Sequence, residues 1–240
     1  MQRVLAPEAP AGTVNPDDLC ISAGCGAILD NLFMTITSPG DGVLIPAPYY
    51  PAFDNDLRVR NGARALPVSG DRADTLPNPS QLDAAVAKAA AEGCRVRALL
   101  LTNPSNPLGV VFTPAELTAA MEWAFDKGLH VVVDEVYASS VFDAQPAVPF
   151  VSALAMEAAL PAMAKNKLHL VYGLSKDFCA SGGALSLPLF RPFTLQPARA
   201  HANRRNKSCI RRGRADVDPA SGISCWGVTD TQRGHHSRNG

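Results

Sequence analysis

Residues 129–137 read LHVVVDEVY, a strongly apolar run that ends in two carboxylates. Three consecutive β-branched residues favour a strand, and a strand that is apolar throughout is typical of a parallel sheet covered on both faces. A second apolar run, Leu168 to Tyr172, ends just before Ser175 and Lys176. Because such runs alternate with helical patterns along the chain, the sequence predicts an α/β fold: a mostly parallel sheet with helices on both faces.

Upstream of these two strands, shorter apolar runs alternate with helix signals. Thr113, Pro114 and Glu116 have the spacing of a capping box with proline in the first turn, so a helix is predicted from there to about Lys127, before Gly128. The Ala-rich segment 80–91 predicts another helix, with Ser80 as its N-cap and Gly93 as its stop. The other predicted elements are strands at 19–22, 42–45, 64–68 and 96–101 and a helix at 27–36.

Composition and charge divide the 240-residue chain into unequal parts. Hydrophobic residues make up 47% and charged residues 18%, which predicts a folded core. The formal net charge is zero, yet residues 184–240 contain ten Lys or Arg and three Asp or Glu, without helical or strand periodicity. We therefore predict a poorly ordered amino-terminal remnant (1–16), a cofactor-binding core (17–183) and a basic tail (184–240) that is disordered or translated out of frame. Arginine clusters alone indicate nucleic-acid binding only weakly, so none is predicted.

Several other classes of protein are disfavoured. No apolar run approaches the roughly 18 residues that span a membrane, and the first residues lack the apolar region of a signal peptide. A cytoplasmic location without membrane contact is therefore expected. The six cysteines include no C-x-x-C pair, so no metal site is predicted. No G-x-G-x-x-G follows the first strand, which disfavours a nicotinamide-binding domain.

Polar residues follow the predicted strands, at the edge where open α/β sheets bind ligands. Residues 22–26 (SAGCG) lead into a helix and offer N–H groups to a phosphate, although a turn that serves packing alone would look the same. Residues 46–51 (PAPYYP) present two tyrosines to a planar ring or to the core, and residues 102–109 (TNPSNPLG) hold two asparagines. With a carboxylate at Asp134 and a candidate nucleophile at Lys176, these are the parts that a pyridoxal-phosphate enzyme needs.

Four segments in order resemble the signatures of class I/II (fold type I) pyridoxal-phosphate-dependent aminotransferases: PAPYYPAFDNDLRVRNGA (46–63), NPSNPLGVVF (103–112), VVVDEVYA (131–138) and VYGLSKDFCASG (171–182). The tyrosine pair and GLSKDF most resemble the 1-aminocyclopropane-1-carboxylate (ACC) synthase-like branch. The resemblance covers roughly residues 17–182. It implies the large domain of that fold, pyridoxal 5′-phosphate as cofactor, an amino acid and a keto acid as reactants, and a homodimer for the intact family.

The resemblance also assigns eight residues to one cofactor site. Lys176 would bond the cofactor's aldehyde as the catalytic residue and later move the α-proton of the substrate. Asp134 would pair with the pyridinium nitrogen. The other contacts would be Tyr50 stacked on the ring (with Tyr49 as the alternative), Asn106 and Tyr137 at the ring oxygen, and the Cys25 and Gly26 backbone with the Ser175 hydroxyl at the phosphate.

The chain departs from the family pattern after the lysine. The family continues Ser-Gly-Leu-Arg-Val-Gly, and its arginine grips the phosphate, whereas here Ser181-Gly182 is followed by Gly183-Ala184-Leu185. The small domain, the arginine for the substrate carboxylate and the family's amino-terminal segment have no counterpart either. We therefore expect a chain truncated at both ends, which catalyses transamination or an ACC-synthase-like elimination. The alternative is a catalytically inactive remnant.

Overall fold

The computed structural model describes residues 5, 14–142, 148–156, 160, 166–181 and 185–189, the last five by their backbone. All of them lie within the unit formed by residues 1–194. Most of the predicted amino-terminal remnant and of the predicted tail falls outside the described residues. Leu5 is an exception, because its side chain is buried in the larger of the two core clusters.

The strands form one sheet in the order β1-β7-β6-β5-β4-β2-β3. The neighbours from β3 to β6 are parallel, whereas β7 runs antiparallel to both β6 and β1. The prediction of a mostly parallel sheet is confirmed. The strands are β1 (Ser22–Ala23), β2 (Gly42–Ala47), β3 (Arg64–Ser69), β4 (Val96–Thr102), β5 (His130–Asp134), β6 (Leu168–Gly173) and β7 (Leu185–Leu189).

Helices follow the strands along the chain, as expected of parallel strands, which need a crossover connection. They are α1 (Cys25–Ile36), α2 (Phe53–Arg58), α3 (Pro79–Ala91), α4 (Pro114–Asp126), α5 (Ala153–Met156) and α6 (Leu174–Asp177), with 3₁₀ turns at Pro16–Asp18 and Ala138–Ser140. Within the part of the chain that the structure describes, no helix has the length and apolar character needed to cross a membrane.

Each central strand contributes alternate residues to two separate core clusters, because successive side chains of a strand point to opposite faces. On β5, Val131 and Val133 belong to the larger cluster, which contains buried residues of α3, α4 and α5. Val132 belongs to the smaller cluster, which contains buried residues of α1 and α2. Helices therefore cover both faces of the sheet, as the unbroken apolar character of β5 predicts.

One predicted helix cap is confirmed and the other is wrong. At α4, the Thr113 hydroxyl accepts from the Glu116 N–H at 3.2 Å and the Glu116 carboxylate accepts from the Thr113 N–H at 2.9 Å. At α3 the cap is Asn78 rather than Ser80. Asn78 and Gln81 form the reciprocal pair there, at 3.0 and 2.8 Å, because Pro79 favours the first helical position.

Four further elements differ from the prediction. The strand expected at 19–22 is the two-residue β1, and α1 begins at Cys25, two residues early. The six-residue helix α2 was not predicted. The predicted tail begins at residue 184, yet β7 pairs with β6 from Ser186 opposite Gly173 to Leu189 opposite Leu170. Hydrogen bonding to β6 thus draws part of the predicted tail into the sheet.

Candidate active site

A cavity with about 730 Å³ of empty space opens where β4, β5 and β6 end and α1 begins. The carboxyl ends of parallel strands are where α/β sheets commonly bind ligands. All eight residues that the sequence predicts for the site line this cavity, although they come from five separate segments. They are Cys25, Gly26, Tyr50, Asn106, Asp134, Tyr137, Ser175 and Lys176.

Lys176 and Asp134 face the same cavity from adjacent strand ends. Lys176 lies on α6, which follows β6 directly, and its side chain is exposed. Its Nζ lies 5.8 Å from the centroid of the Tyr137 ring. Asp134 is the last residue of β5 and is almost entirely buried, with its Oδ1 accepting a hydrogen bond from the Val136 N–H at 3.1 Å. The cavity thus has a candidate nucleophile and a buried carboxyl group in its walls.

The pKa of Asp134 is raised to about 7, mainly by burial and also by the charge of Asp56. The hydrogen bond from Val136 and the charge of Lys176 act in the opposite direction. A carboxyl group in this state is stabilised as an anion when a cation comes within reach. The protonated nitrogen of a pyridine ring is such a cation and also a hydrogen-bond donor. The carboxyl group therefore fits the cofactor that the resemblance implies.

Asn106 and Tyr137 meet at the cavity wall. The Asn106 amide donates to the Tyr137 hydroxyl at 3.3 Å, which connects the loop after β4 with the turn after β5. An amide and a phenol side by side provide two donors for one ligand oxygen. The Asn103 carboxamide, three residues earlier, instead accepts from the Phe112 N–H at 3.0 Å and serves the loop itself. The two asparagines of the loop therefore have different roles.

The first turn of α1 forms the opposite end of the cavity. The backbone at Gly24 has φ +92°, a conformation that glycine adopts readily, and α1 starts at the next residue. The first N–H groups of a helix lack partners within the helix and carry the positive end of its dipole. The N–H groups of Cys25 and Gly26 therefore suit an anion. Among the described residues that line the cavity, Lys176 is the sole cationic side chain.

The two tyrosines of PAPYYP separate in the structure. Tyr50 lines the cavity, is 44% exposed, and packs edge-on against Phe53 with ring centroids 5.5 Å apart. The Tyr49 hydroxyl donates to Asp54 at 2.8 Å, and Tyr49 lines a different cavity. Tyr50, rather than the alternative Tyr49, is thus the tyrosine available to a ring in this cavity.

Two polar residues in the cavity wall were not predicted as site residues. Thr102 is the last residue of β4 and pairs in register with Asp134, and its buried hydroxyl has no hydrogen-bond partner among the described residues. Its position at a strand end was a usable signal. Asp56 lies on α2, and burial together with the charge of Asp30 raises its pKa. Asp56 was assigned no role because α2 was not predicted, although it lies within the segment 46–63.

Comparison with known proteins places these features in a family. The sequence model described as aminotransferase class I and II matches residues 5–205. The chain is 38% identical over 223 residues to 1-aminocyclopropane-1-carboxylate synthase 1 of Oryza sativa subsp. indica, covering 91% of this chain and 41% of the relative. It is 37% identical over 183 residues to 1-aminocyclopropane-1-carboxylate synthase 7 of Arabidopsis thaliana, covering 75% and 39%. This chain thus spans about two fifths of the length of these curated relatives.

Solved structures of similar fold are also found. An aminotransferase from Mycobacterium tuberculosis is similar with a TM-score of 0.59 at 25% identity, over 74% of this chain and 44% of that chain. The aspartate aminotransferase from Rhizobium meliloti is similar with a TM-score of 0.63 at 24% identity, over 78% and 43%. The second likeness is evidence for the fold alone.

Proposed function

Since this chain belongs to the class I and II aminotransferase family, we propose that its cavity binds pyridoxal 5′-phosphate, the cofactor of that family, and that the protein acts on an α-amino acid. One observation carries the proposal. The exposed Lys176 and the buried Asp134, whose pKa is raised, line the same cavity at the ends of neighbouring parallel strands. The roles below are proposals for the residues of this chain.

Lys176 is the catalytic residue. When bound, pyridoxal phosphate supplies an electron sink for the carbanion left by removal of the α-proton. Lys176 would hold the cofactor covalently at its aldehyde, and its free amine would take and return the proton at the substrate's α-carbon. The residue lies on α6 in the cavity wall, with its side chain exposed.

Asp134 holds the ring nitrogen in its protonated form. Burial raises the pKa of this carboxyl group to about 7, and a pyridinium beside it favours the carboxylate again. Val136 fixes one carboxylate oxygen, which leaves the other oxygen for the ring N–H. Asn106 and Tyr137 bind the ring oxygen and Tyr50 stacks on the ring. The backbone N–H groups at Cys25 and Gly26 bind the phosphate with the Ser175 hydroxyl.

The reaction is either transamination with a keto acid or an ACC-synthase-like elimination. Both begin with loss of the α-proton, so the residues described here serve both. The relatives at 37 to 38% identity are named as ACC synthases, which favours the second reaction. An α,γ-elimination needs an amino acid with a leaving group on its γ-carbon. We further propose that the chain is cytoplasmic and forms a homodimer. The resemblance implies the homodimer for the intact family, and sedimentation of the purified chain would test it.

Titration of the full chain with pyridoxal phosphate tests the proposal. We expect a new absorbance band near the edge of the visible range, and borohydride reduction should leave the pyridoxyl group on Lys176, as located by mass spectrometry. Lys176→Ala should abolish both signals, whereas Lys167→Ala, whose ammonium donates to the Gly128 carbonyl away from the cavity, should retain them. An unchanged band in Lys176→Ala would refute the proposal. A labelled chain without turnover of any amino acid would favour the inactive-remnant alternative.

A further inference from the structure

Asp177 follows the proposed catalytic lysine, and its carboxylate has a role that the cofactor site does not explain. It accepts three hydrogen bonds. The Ser139 N–H and the Tyr172 hydroxyl both donate to Oδ2 at 3.0 Å, and the Ser140 hydroxyl donates to Oδ1 at 3.2 Å. Asp177 does not line the cavity. Its carboxylate thus joins three segments behind the wall that carries Lys176.

Two of the donors belong to the turn that follows Tyr137. The 3₁₀ turn Ala138–Ser140 begins at the residue after Tyr137, and α6 (Leu174–Asp177) carries Lys176. A single helical turn has little stability of its own, so contacts outside it fix its orientation. The Asp177 carboxylate therefore controls how the segment that bears Lys176 lies against the segment that bears Tyr137.

The third donor is a rigid anchor in the sheet. Tyr172 lies in β6, is 2% exposed, and is among the largest fully buried side chains of the described residues. The pKa of Tyr172 is raised to about 12, mainly by burial and also by the hydrogen bond to Asp177 and the charge of that carboxylate. The phenol therefore stays protonated and keeps donating to the carboxylate throughout the ordinary pH range. Asp177 thereby ties α6 back onto the strand from which it emerges.

We propose that Asp177 is a positioning residue that fixes Lys176 against Tyr137. The proposal rests on the proposed function, because Lys176 must be the residue that bonds the cofactor. Asp177 itself touches neither cofactor nor substrate. It accepts hydrogen bonds from Tyr172, Ser139 and Ser140 and so sets the direction in which the lysine side chain enters the cavity. The Lys176 Nζ then lies 5.8 Å from the Tyr137 ring centroid, facing the space where the aldehyde must arrive.

The rate at which pyridoxal phosphate labels Lys176 in the full chain tests this role. Asp177→Ala removes both acceptor oxygens and with them all three hydrogen bonds, and we expect labelling to slow about tenfold or more, as misplacement of a reacting group does. Asp177→Asn should stay within about threefold of the wild-type rate, because its amide oxygen accepts two bonds and its N–H donates to Ser140. Tyr172→Phe, which removes one donor and leaves residue 177 intact, should slow labelling by an intermediate factor and serves if Asp177→Ala does not fold.

Asp83→Ala is the matched control. The Asp83 carboxylate also accepts from two side chains, Trp123 at 3.1 Å and Lys127 at 2.7 Å, but it lies outside the cavity. It should lower the Tm and leave the labelling rate unchanged. Wild-type labelling in a folded Asp177→Ala, or in Tyr172→Phe if the first does not fold, would overturn the positioning role alone. A wild-type chain that leaves Lys176 unlabelled would overturn the proposed function and, with it, this role.

Discussion

Asp134 and Glu135 are adjacent buried carboxyl groups with different surroundings. Glu135 accepts from the Ser152 hydroxyl at 2.6 Å and from the Ala153 N–H at 2.7 Å, so it binds the start of α5 and does not line the cavity. Asp134 accepts one bond from Val136 and faces the cavity. Burial raises the pKa of Asp134 to about 7 and that of Glu135 to about 8. A carboxylate satisfied by the protein is structural, whereas one left facing a cavity is suited to a ligand.

This contrast predicts opposite effects of Asp134→Asn on stability and on binding. The folded pKa lies above the unfolded value of 3.8, so the stability that Asp134 contributes is present below that value and is lost as pH rises through 7. At pH 8 the variant without cofactor should therefore exceed the wild type in free energy of unfolding by roughly 2 to 4 kcal/mol, with a smaller gap at pH 5. Its affinity for pyridoxal phosphate should fall.

Urea unfolding at both pH values, with a pyridoxal phosphate titration at pH 8, measures the two effects. Glu135→Gln is the matched control, because it should gain stability at pH 8 without loss of cofactor affinity. Equal cofactor affinity in Asp134→Asn and the wild type would contradict the proposed pairing with the ring nitrogen.

Thr102 supports a second prediction about a single residue. Its buried hydroxyl has no partner among the described residues, and an unsatisfied buried polar group costs about 1 to 3 kcal/mol. Thr102→Val should therefore raise the free energy of unfolding of the cofactor-free chain by about 1 kcal/mol. Thr37→Val is the matched control, since the Thr37 hydroxyl donates to the Phe33 carbonyl at 2.6 Å and its loss should destabilise. Urea unfolding that shows both variants destabilised alike would contradict this account.

Sequence alone named eight residues that line one cavity, but not all of their contacts. The strand-end rule and the family motifs named the eight cavity residues, because a motif records which residue type stands at which place. They favoured Tyr50 and kept Tyr49 as the alternative, since both follow the same strand. The structure separates the two, because the Tyr49 hydroxyl donates to Asp54. The bonds that Asp177 accepts join residues up to 38 positions apart, and no local pattern records them.

At the scale of elements, the helix caps provide a direct test of the corrected assignment. Asn78→Ala and Thr113→Ala each remove a side-chain cap with its reciprocal partner, and each should lower the free energy of unfolding by about 1 kcal/mol. Ser80→Ala changes a residue inside α3 and should alter it by less than about 0.5 kcal/mol. Urea unfolding of the three variants measures this. A loss in Ser80→Ala as large as that in Asn78→Ala would contradict the structure.

Elements with long-range support were harder to predict than those with local signals. The buried strands β4, β5 and β6 and the capped helix α4 were predicted to within one or two residues, because apolar runs and caps are local features. In contrast, β1 has only two residues, and both pair with β7. The other edge of β7 pairs with β6. Short elements of this kind gain their stability from neighbours in the sheet, and a window of sequence does not contain those neighbours.

At the scale of the whole molecule, buried titratable pairs lie at both ends of the central strands. Asp134 and Glu135, the two carboxyl groups with raised pKa values, lie at the carboxyl end of β5. At its other end, His130 Nδ1 and His169 Nε2 lie 2.9 Å apart with their rings stacked. Burial lowers the pKa of His130 to about 4, with further lowering from Arg97 and Lys167, and lowers that of His169 to about 3. Folding therefore lowers the proton affinity of the histidine pair and raises that of the carboxyl pair.

The two pairs together predict a plateau of stability against pH for the cofactor-free chain. The histidines, with folded pKa values below the unfolded 6.5, contribute stability that is present above 6.5 and lost as pH falls through their folded values. The carboxyl groups contribute stability that is present below about 4 and lost as pH rises through 7 and 8. Between about pH 4.5 and 6.5 the opposing slopes largely cancel, whereas above 6.5 the carboxyl groups act alone and stability should fall.

Below about pH 4 the histidines act without opposition, and Asp41 adds to the loss because the side-chain hydrogen bond from Arg95 lowers its pKa against the opposing effect of burial. Urea unfolding from about pH 3 to about pH 8.5 should thus give a flat region with a decline on either side. In the double variant Asp134→Asn, Glu135→Gln the alkaline decline should disappear, because neither carboxyl group with a raised pKa remains. The acid decline should then begin near about pH 6.5, because nothing in that pair opposes the loss of stability from His130 and His169. A double variant that declines between pH 6.5 and 8 as steeply as the wild type would show that other groups control the alkaline stability of this fold.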